Sequence, residues 1–410
     1  MPTFTADNLD EFIKETDRLG GPNTAETKVY WKTFAYGPSA VVDQDSNPYS
    51  NKYFAQMCAL YRELSGRSIN ADENEMSEFP FEKHLTAANP YAATDPSNFA
   101  FHFLRLGEAI QRAKLPENPA ILDMGAGWGL SSEFLATLGA RVTAMDINPQ
   151  FVALINRRAL RHGMPVSAVQ GRFEDFKPPG RFDAILFYEC LHHAMKPWEL
   201  LARARDWLND GGKIIFAGEP VNAMWWRDWG LRLDPLSVYC IRKFGWFESG
   251  WSESFIVSCL RRAGMSVDFH VSATKDVGAV CVATKFDPAA KLNADALRGF
   301  AAFEGWEHAE QFNQALGDST IRMRPPFGAT SVVFDLVNFR RKDLSVKVFA
   351  NGSRVHAAPL PPGHTAIRLP ASEPEMTYRF VSETWTPDRE IKNGDRRSIS
   401  FCLEGASFGF

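Results

Sequence analysis

The segment ILDMGAGWG, residues 121–129, decides the fold. An apolar run from Ala120 to Met124 predicts a buried strand, and three glycines at alternate positions end it. Residues 131–138 then have the pattern of a helix. A strand that turns through glycine into a helix brings backbone N–H groups close to a ligand. The segment therefore predicts a ligand-binding turn.

A dinucleotide is the first ligand to consider for this turn. Its fingerprint requires glycine at the first, third and sixth positions. Counted from Gly125 the sixth residue is Leu130, and counted from Gly127 it is Ser132. The fingerprint fails in both registers, which disfavours a Rossmann oxidoreductase.

The pattern is instead Asp-x-Gly-x-Gly-x-Gly, with Asp123 at the end of the strand. It resembles the first motif of class I S-adenosylmethionine-dependent methyltransferases. The resemblance implies S-adenosyl-L-methionine as cofactor, with its methionine part on the glycine turn and its amino group facing Asp123. Asp146 ends the next predicted strand, where an acid accepts hydrogen bonds from ribose hydroxyls. The residues expected to bind the cofactor are Asp123, Gly125, Ala126, Gly127, Gly129, Asp146, Ile147, Arg172, Phe173, Glu174 and Tyr188.

The loop at residues 170–176 follows the third predicted strand and resembles the adenine-binding loop of the same family. Arg172 stands where that family usually has an acid. The resemblance implies that the Phe173 N–H contacts the adenine ring and that Glu174 or Asp175 accepts from its amino group. A loop of solvated charges is the alternative, and the sequence leaves both open.

Residues 116–285 alternate between strand and helix patterns. Strands are predicted at 120–124, 141–146, 166–170, 183–188 and 213–218, with paired strands at 266–272 and 278–285. This alternation predicts an α/β fold with a doubly wound, mostly parallel seven-stranded sheet. Ligands of such sheets bind beyond the carboxyl ends of the strands. We expect Asp123, Asp146, Tyr188 and Glu219 to lie along that edge.

The segment at residues 182–193 contains Glu189, His192 and His193, and family members often have an acid and a histidine at the first and last of these positions. Any of the three could remove a proton from a methyl acceptor, and a purely structural role is the alternative. No metal is predicted, because adjacent histidines on one element diverge and no further ligand cluster follows at site spacing.

An insert at residues 221–251 contains five of the eleven tryptophans. Aromatic density beyond the strand ends suits a cap over a flat, partly apolar acceptor such as a sugar ring, and its arginines could hold a carboxylate or phosphate. A lid that only packs is the alternative. The candidate substrate residues are Trp225, Trp226, Arg227, Trp229 and Glu219.

Regions of different pattern flank this domain. Residues 1–115 predict a helical extension or lid, with helices at 9–19, 53–64 and 99–113 and with possible substrate contacts at Tyr49, Tyr53, His84 and Tyr91. Residues 286–410 predict a helix at 293–316, N-capped by Asn293, followed by an all-β, sandwich-like accessory domain. Residues 385–399 resemble β-domains appended to bacterial glycan-modifying enzymes. Such a domain grips a polymer, or serves structure or dimerisation.

Composition limits the remaining classes. The net charge of -4 argues against a nucleic-acid binder. No apolar run reaches the roughly 20 residues of a membrane span, and the first residues lack a signal core. Six scattered cysteines suit a reducing compartment, so a cytoplasmic location is expected.

These observations predict an O-directed methyltransferase that uses S-adenosyl-L-methionine and acts on a glycan or a small polar acceptor. The alternative is a non-catalytic protein of the same fold that binds a glycan or protein partner through its β-domain.

Overall fold

The structure is a computed structural model that describes residues 3–70, 76, 79–274, 277–285, 291–309, 311–326 and 328–410. The chain divides into two compact units. The first comprises Met1–Val257 and Asp268–Ala283, and the second comprises Ser258–Val267 and Thr284–Phe410.

A seven-stranded sheet forms the centre of the first unit, in the order β5-β4-β3-β6-β7-β11-β10. The strands from β5 to β7 are parallel to their neighbours. The strands are β3 (Ala120–Met124), β4 (Arg141–Asp146), β5 (Val166–Gln170), β6 (Phe182–Tyr188), β7 (Leu208–Ala217), β10 (Met265–Val271) and β11 (Ala279–Lys285). This sheet confirms the predicted doubly wound α/β fold.

Helices connect the parallel strands of this sheet. They are α6 (Leu130–Thr137), α7 (Pro149–His162) and α8 (Pro197–Asp206), and α10 (Glu253–Arg262) precedes β10. Helix α7 begins where the side chain of Asn148 accepts a hydrogen bond from Gln150 N, and it ends at Gly163 in the left-handed conformation. These caps fix the carboxyl end of β4 next to the start of a helix.

The N-terminal region is mainly helical, as the sequence predicts. Its elements are β1 (Thr3–Phe4), α1 (Leu9–Arg18), α2 (Ala25–Trp31), β2 (Ala35–Tyr36), α3 (Asn51–Ser65), α4 (Phe81–Thr86) and α5 (Pro96–Ala113). Helix α5 begins at Pro96, earlier than the predicted start at residue 99. The Asp95 carboxylate accepts from Ser97 N at 2.9 Å and so caps the first turn.

The tryptophan-rich insert folds as a short hairpin around a helix. Strands β8 (Trp229–Leu231) and β9 (Ser249–Trp251) pair antiparallel, and α9 (Pro235–Phe244) lies between them in sequence. Asp234 caps α9 by accepting a hydrogen bond from Ser237 N. Trp229 and Trp251 are fully buried, so a large part of the aromatic content of this insert forms core.

The second unit contains a ten-stranded antiparallel sheet, which confirms the predicted all-β character of the C-terminal region. Its core includes the buried rings of Phe334, Tyr378, Phe380 and Phe401. Besides α11 (Ala294–Phe300) and α12 (Pro387–Ile391), its elements are β12 (Leu292–Asn293), β13 (Ala301–His308), β14 (Asn313–Met323), β15 (Ser331–Asn338), β16 (Leu344–Ala350), β17 (Ser353–His356), β18 (Pro359–Leu360), β19 (Gly363–Pro370), β20 (Met376–Ser382) and β21 (Cys402–Gly409).

The helix predicted at residues 293–316 is wrong beyond Phe300. Asn293 does cap a helix by accepting from Ala296 N at 2.8 Å, but the chain then enters β13, which pairs antiparallel with β14. Gly305 has a φ of 75°, and a Cβ there would lie 2.3 Å from Asp318 O. Strand pairing and this glycine contact therefore override the apparent helical spacing.

Among the described residues, no helix combines the length and the apolar character that a membrane span requires.

Arg158 of α7 links the N-terminal region to the sheet domain from a buried position. Its Nη1 donates to the carbonyl oxygens of His84 and Ala87, each at 2.8 Å. Its Nε and Nη2 donate to the two carboxylate oxygens of Glu133 on α6, at 2.5 and 3.1 Å. Only 1% of the Arg158 side chain is exposed, so each of these partners depends on this one guanidinium.

We expect Arg158→Met to lower the free energy of unfolding by about 3 kcal/mol, because it leaves a mostly buried carboxylate and two carbonyls without their donor. Arg157→Met is the matched control: the Arg157 side chain is 60% exposed and lies 3.7 Å from Glu82, so its loss should change the free energy of unfolding by less than about 0.5 kcal/mol. Urea unfolding followed by far-UV circular dichroism measures both. Equal effects would contradict the anchoring role.

Candidate active site

A cavity of about 450 Å³ lies at the carboxyl ends of the central strands of the first unit. Its floor is the glycine turn after β3, and further walls come from the residues after β4, β5 and β6. The N-terminal region contributes Tyr61, Ile69, Asn70 and Tyr91, and the insert contributes residues 245–247. The strand ends therefore form a cavity at the edge of the sheet where the topology predicts ligand binding.

The three glycines of the turn all have positive φ, and they meet two different requirements. A Cβ on Gly125 would lie 2.8 Å from Cys190 Cβ, and a Cβ on Gly129 would lie 2.7 Å from Ile155 Cγ1. A Cβ on Gly127 would have no atom within 4 Å. Gly125 and Gly129 thus allow close packing, whereas Gly127 leaves open space above the backbone, as a ligand lying on the turn requires.

Asp146 connects the turn to the second strand. Its Oδ2 accepts a hydrogen bond from Gly127 N at 2.8 Å, and its Oδ1 accepts from Asn148 N at 2.9 Å. Ala126 N also donates to Met145 O at 3.0 Å. Asp146 lines the cavity, in the position the sequence predicts for the partner of a ribose.

Asp123 lies below the turn and is fully buried. Its Oδ2 accepts from the hydroxyls of Ser131 and Ser132 at 2.7 and 2.5 Å, while its Oδ1 accepts no hydrogen bond from the described part of the chain. Burial raises the pKa of this carboxyl to about 6. Asp123 does not line the cavity, although Ser131 does. The predicted direct contact between Asp123 and the amino group of S-adenosylmethionine is therefore not provided by the cavity wall, where Ser131, which donates to Asp123, lies instead.

The loop after β5 combines cavity contacts with local ion pairing. Arg172, Phe173 and Glu174 line the cavity, whereas Asp175 pairs with Arg172 and is not among the lining residues. The carbonyl of Phe173 accepts from Arg203 at 2.5 Å, which fixes the backbone of the loop. Except for Asp123 and Gly129, all predicted cofactor residues line this cavity.

The end of β6 supplies polar groups on the opposite side. Tyr188 and Glu189 line the cavity, and Glu189 has a φ of 53°, a left-handed conformation that is unusual for this residue. Arg105 of α5 forms an ion pair with Glu189, and the Tyr188 hydroxyl lies 2.6 Å from His102 Nδ1. Burial raises the pKa of Glu189 against the opposing effect of Arg105. Helix α5 therefore holds two residues of the cavity wall in place.

The two predicted histidines differ in their surroundings. His193 lines the cavity, and burial together with the neighbouring His192 lowers its pKa to about 4. His192 does not line it. Although burial lowers the pKa of His192, the carboxylates of Glu219 and Glu248 raise it overall. Of the three predicted catalytic residues, the structure thus brings Glu189 and His193 to the cavity.

Glu219 is buried below the turn that follows β6. Its carboxylate accepts from the backbone N–H groups of Cys190, Leu191 and His192 at 2.9, 2.9 and 3.1 Å, and it lies 2.8 Å from His192 Nδ1. These bonds fix the turn at Leu191–His193. Glu219 is not among the residues that line the cavity.

The other candidate substrate residues also lie away from the cavity wall. Trp229 is buried, with its Nε1 donating to Pro48 O at 2.8 Å. Trp226 Nε1 donates to Leu231 O at 2.7 Å, and Arg227 pairs with Asp45 at 3.0 Å. Neither these residues nor Trp225 line the cavity. The tryptophan of this insert that does is Trp246, which the sequence does not distinguish from its neighbours.

Of the candidates in the N-terminal region, Tyr91 lines the cavity, and Tyr49, Tyr53 and His84 do not. His84 stacks on Trp128 of the glycine turn with ring centroids 3.9 Å apart, so its role here is packing. Tyr61, Ile69 and Asn70 were missed, because their spacing carries no signal beyond the end of an ordinary amphipathic helix.

Residues 121–212 match a family model described as a methyltransferase domain. This match confirms the resemblance to class I S-adenosylmethionine-dependent methyltransferases for the central domain. Over 156 residues the chain is 31% identical to the ubiquinone biosynthesis O-methyltransferase of Xanthomonas euvesicatoria pv. vesicatoria (strain 85-10), covering 37% of this chain and 63% of that protein.

A second relative is the ubiquinone biosynthesis O-methyltransferase of Pectobacterium carotovorum subsp. carotovorum (strain PC1), 30% identical over 149 residues, which cover 34% of this chain and 62% of that protein. The chain thus spans less than two thirds of the length of these curated relatives. Among solved structures, a 1,6-didemethyltoxoflavin-N1-methyltransferase of Burkholderia thailandensis is similar at 22% identity and a TM-score of 0.36, over 47% of this chain and 80% of that one.

Asp123 gives a pH-dependent prediction. Because its pKa in the folded protein is raised to about 6, the folded state binds more protons than the unfolded state between about pH 4 and 6, and stability falls as pH rises through that window. Asp123→Asn has no carboxyl group that titrates here, so it does not lose stability in this way. The free energy of unfolding of the variant minus that of wild type should therefore increase by about 3 kcal/mol between pH 4 and pH 7. Urea unfolding at a series of pH values measures it. If the difference in free energy of unfolding between the variant and wild type does not vary with pH, the pKa of Asp123 is not raised by its burial.

Proposed function

We propose that this chain, whose residues 121–212 are a class I S-adenosylmethionine-dependent methyltransferase domain, transfers a methyl group from S-adenosyl-L-methionine to a small acceptor. The observation that carries the proposal is the cavity above Gly127. The backbone there is open, and Asp146 stands at its side with both oxygens engaged by the adjoining main chain.

The cofactor, when bound, supplies a methyl group on sulfonium sulfur that is already electrophilic. The chain must therefore hold the acceptor in line with that methyl group and keep water out. In our proposal Gly127 and Asp146 hold the ribose and methionine parts, and Ile147, Phe173 and Glu174 surround the adenine. These residues occupy the strand ends where the domain family binds its cofactor.

The acceptor lies, in our proposal, between the N-terminal region and the insert. Aromatic side chains of Tyr61, Tyr91, Trp246 and Phe247 form this part of the wall, and the polar groups nearby include Asn70. Such a mainly aromatic wall with a few polar groups suits a small molecule with a flat face. The two O-methyltransferase relatives described above favour oxygen as the methylated atom. An accessory role for the C-terminal β-domain in binding a glycan or in assembly stays a prediction.

A hydroxyl acceptor must lose its proton during transfer. We propose that this loss depends on His193, because it is the predicted catalytic histidine that lines the cavity. Glu189, which faces the same space, is paired with Arg105, so it is better placed to orient the acceptor. His192 and Glu219 support the turn that carries His193.

The cofactor site predicts a specific effect of a large side chain at the turn. Gly127→Arg should abolish binding of S-adenosylhomocysteine, with at least a hundredfold loss of affinity, because its side chain fills the open space above the backbone. Gly163→Arg is the matched control: this glycine also has positive φ and no atom within 4 Å of a Cβ, but it ends α7 away from the cavity. Isothermal titration calorimetry compares them. Unchanged binding in Gly127→Arg would remove the basis of the proposal.

His193→Ala should retain cofactor affinity within about twofold and lower turnover by 10²-fold or more, the range of a lost acid–base contribution. Turnover is measured with labelled cofactor against a panel of small hydroxylated molecules, including phenols and sugars. His270→Ala, a half-exposed histidine near Glu108, serves as the control. Equal turnover in wild type and His193→Ala would exclude His193 from the reaction.

A further inference from the structure

We propose that His192, His193 and Glu248 form a binding site for one divalent transition-metal ion, of the zinc type, at the wall of the cavity. The possible ligand atoms of these three residues all lie within 4.8 Å of one another. The sequence argues against such a site, because adjacent histidines on one element are expected to diverge and no further ligand cluster follows at site spacing. The structure supplies the third ligand from a segment more than 50 residues away.

The fold brings the ligands together through two fixed segments. The turn at Leu191–His193 follows β6, and Glu248 directly precedes β9. The Ser249 hydroxyl donates to His192 O at 2.6 Å, which ties the two segments at the site itself. The rings of His192 and His193 are 4.3 Å apart between centroids and 36° from parallel, so adjacent residues here do not diverge.

The spacing of the ligand atoms suits a shared ion. His192 Nε2 lies 3.5 Å from Glu248 Oε2, which is longer than a normal N–H···O hydrogen bond of about 2.7–3.2 Å. Two ligands at about 2.0–2.1 Å from a tetrahedral zinc ion are separated by about 3.3 Å. The separation of His192 Nε2 and Glu248 Oε2 is therefore close to the separation of two ligand atoms on one zinc ion.

Glu219 provides the outer support that such a ligand requires. Metal-binding histidines usually donate their second ring N–H to a carboxylate, which fixes the tautomer and directs the other nitrogen at the ion. Here His192 Nδ1 lies 2.8 Å from Glu219 Oε2, and the backbone bonds to Glu219 described above keep this carboxylate in place. His192 Nε2 is thereby left to face Glu248.

The charges and the exposure of the three residues are also suitable. Two imidazoles and one carboxylate leave a tetrahedral ion one open position, the arrangement of catalytic zinc sites. His192 and Glu248 are buried, whereas His193 lines the cavity, so the open position faces the space where we place the acceptor. The nearby cation is Arg232, whose Nη1 lies 3.9 Å from Glu248 Oε2. The Nε of the same guanidinium is paired with the Asp234 carboxylate at 2.9 Å.

This site deepens the proposed function and, as regards catalysis, rests on it. An ion at this wall would bind an acceptor oxygen and favour the loss of its proton, with His193 as a ligand. The alternative is an arrangement in which a protonated His192 lies between the carboxylates of Glu219 and Glu248. That arrangement binds no metal, so a measurement of metal binding by the purified protein distinguishes the metal site from the protonated histidine.

The test uses the full chain after chelator treatment and dialysis, titrated with Co²⁺ and with Zn²⁺. We expect one equivalent of Co²⁺ to bind with the intense visible absorption of a tetrahedral site and to be displaced by Zn²⁺. Glu248→Gln, which preserves size, should weaken Zn²⁺ binding at least tenfold. His270→Gln is the matched control, because His270 also lies near a glutamate, at 3.3 Å, but outside the cluster; its Zn²⁺ affinity should match that of wild type.

Circular dichroism and S-adenosylhomocysteine binding, measured on the same samples, establish that each variant is folded. Failure of the wild type to bind Co²⁺ or Zn²⁺ at one equivalent, or equal Zn²⁺ affinity in wild type and Glu248→Gln, would overturn the metal site. Absence of S-adenosylhomocysteine binding by the wild type, with metal binding intact, would instead count against the proposed function. The two proposals therefore fail separately.

Discussion

The hydrogen bond from Gly127 N to Asp146 Oδ2 is the constraint on which the cavity depends. It joins the turn after β3 to the end of β4, and Ala126 N adds a second bond to Met145 O. Because the turn is held from the side, its upper surface stays open. Glycine is needed at the turn for this reason, since the backbone there adopts positive φ and must pack closely on one side while exposing itself on the other.

The sequence predicts this part of the molecule well because its determinants are local. The glycines and Asp123 lie within a few residues of one strand, and the position of Asp146 follows from one helix and one further strand. The central sheet and the strand-end cavity are consequences of that short pattern. The family match at residues 121–212 covers the same region.

The remaining parts depend on partners that are distant along the chain. Trp229 is buried because Pro48 O accepts from its indole and Tyr53 donates to its carbonyl, and nothing near Trp229 in sequence indicates either contact. Likewise Glu248 approaches His192 only because two separate segments meet. The density of tryptophan correctly marks an aromatic insert, but which ring is core and which faces the cavity, as Trp246 does, is set by tertiary packing.

This difference explains why the similarity of the central domain to known methyltransferases supports the identity of the cofactor more strongly than the identity of the acceptor. The side of the cavity where we propose that the cofactor binds is built from strand ends inside residues 121–212, the range that matches the methyltransferase domain model. Tyr91 and Trp246, on the other side, lie outside that range. Arg105 and His102, which hold Glu189 and Tyr188, also come from outside it. Under the proposed function, proteins that share only the first set of residues would share the methyl donor, while the surrounding segments would determine which acceptor reaches the methyl group.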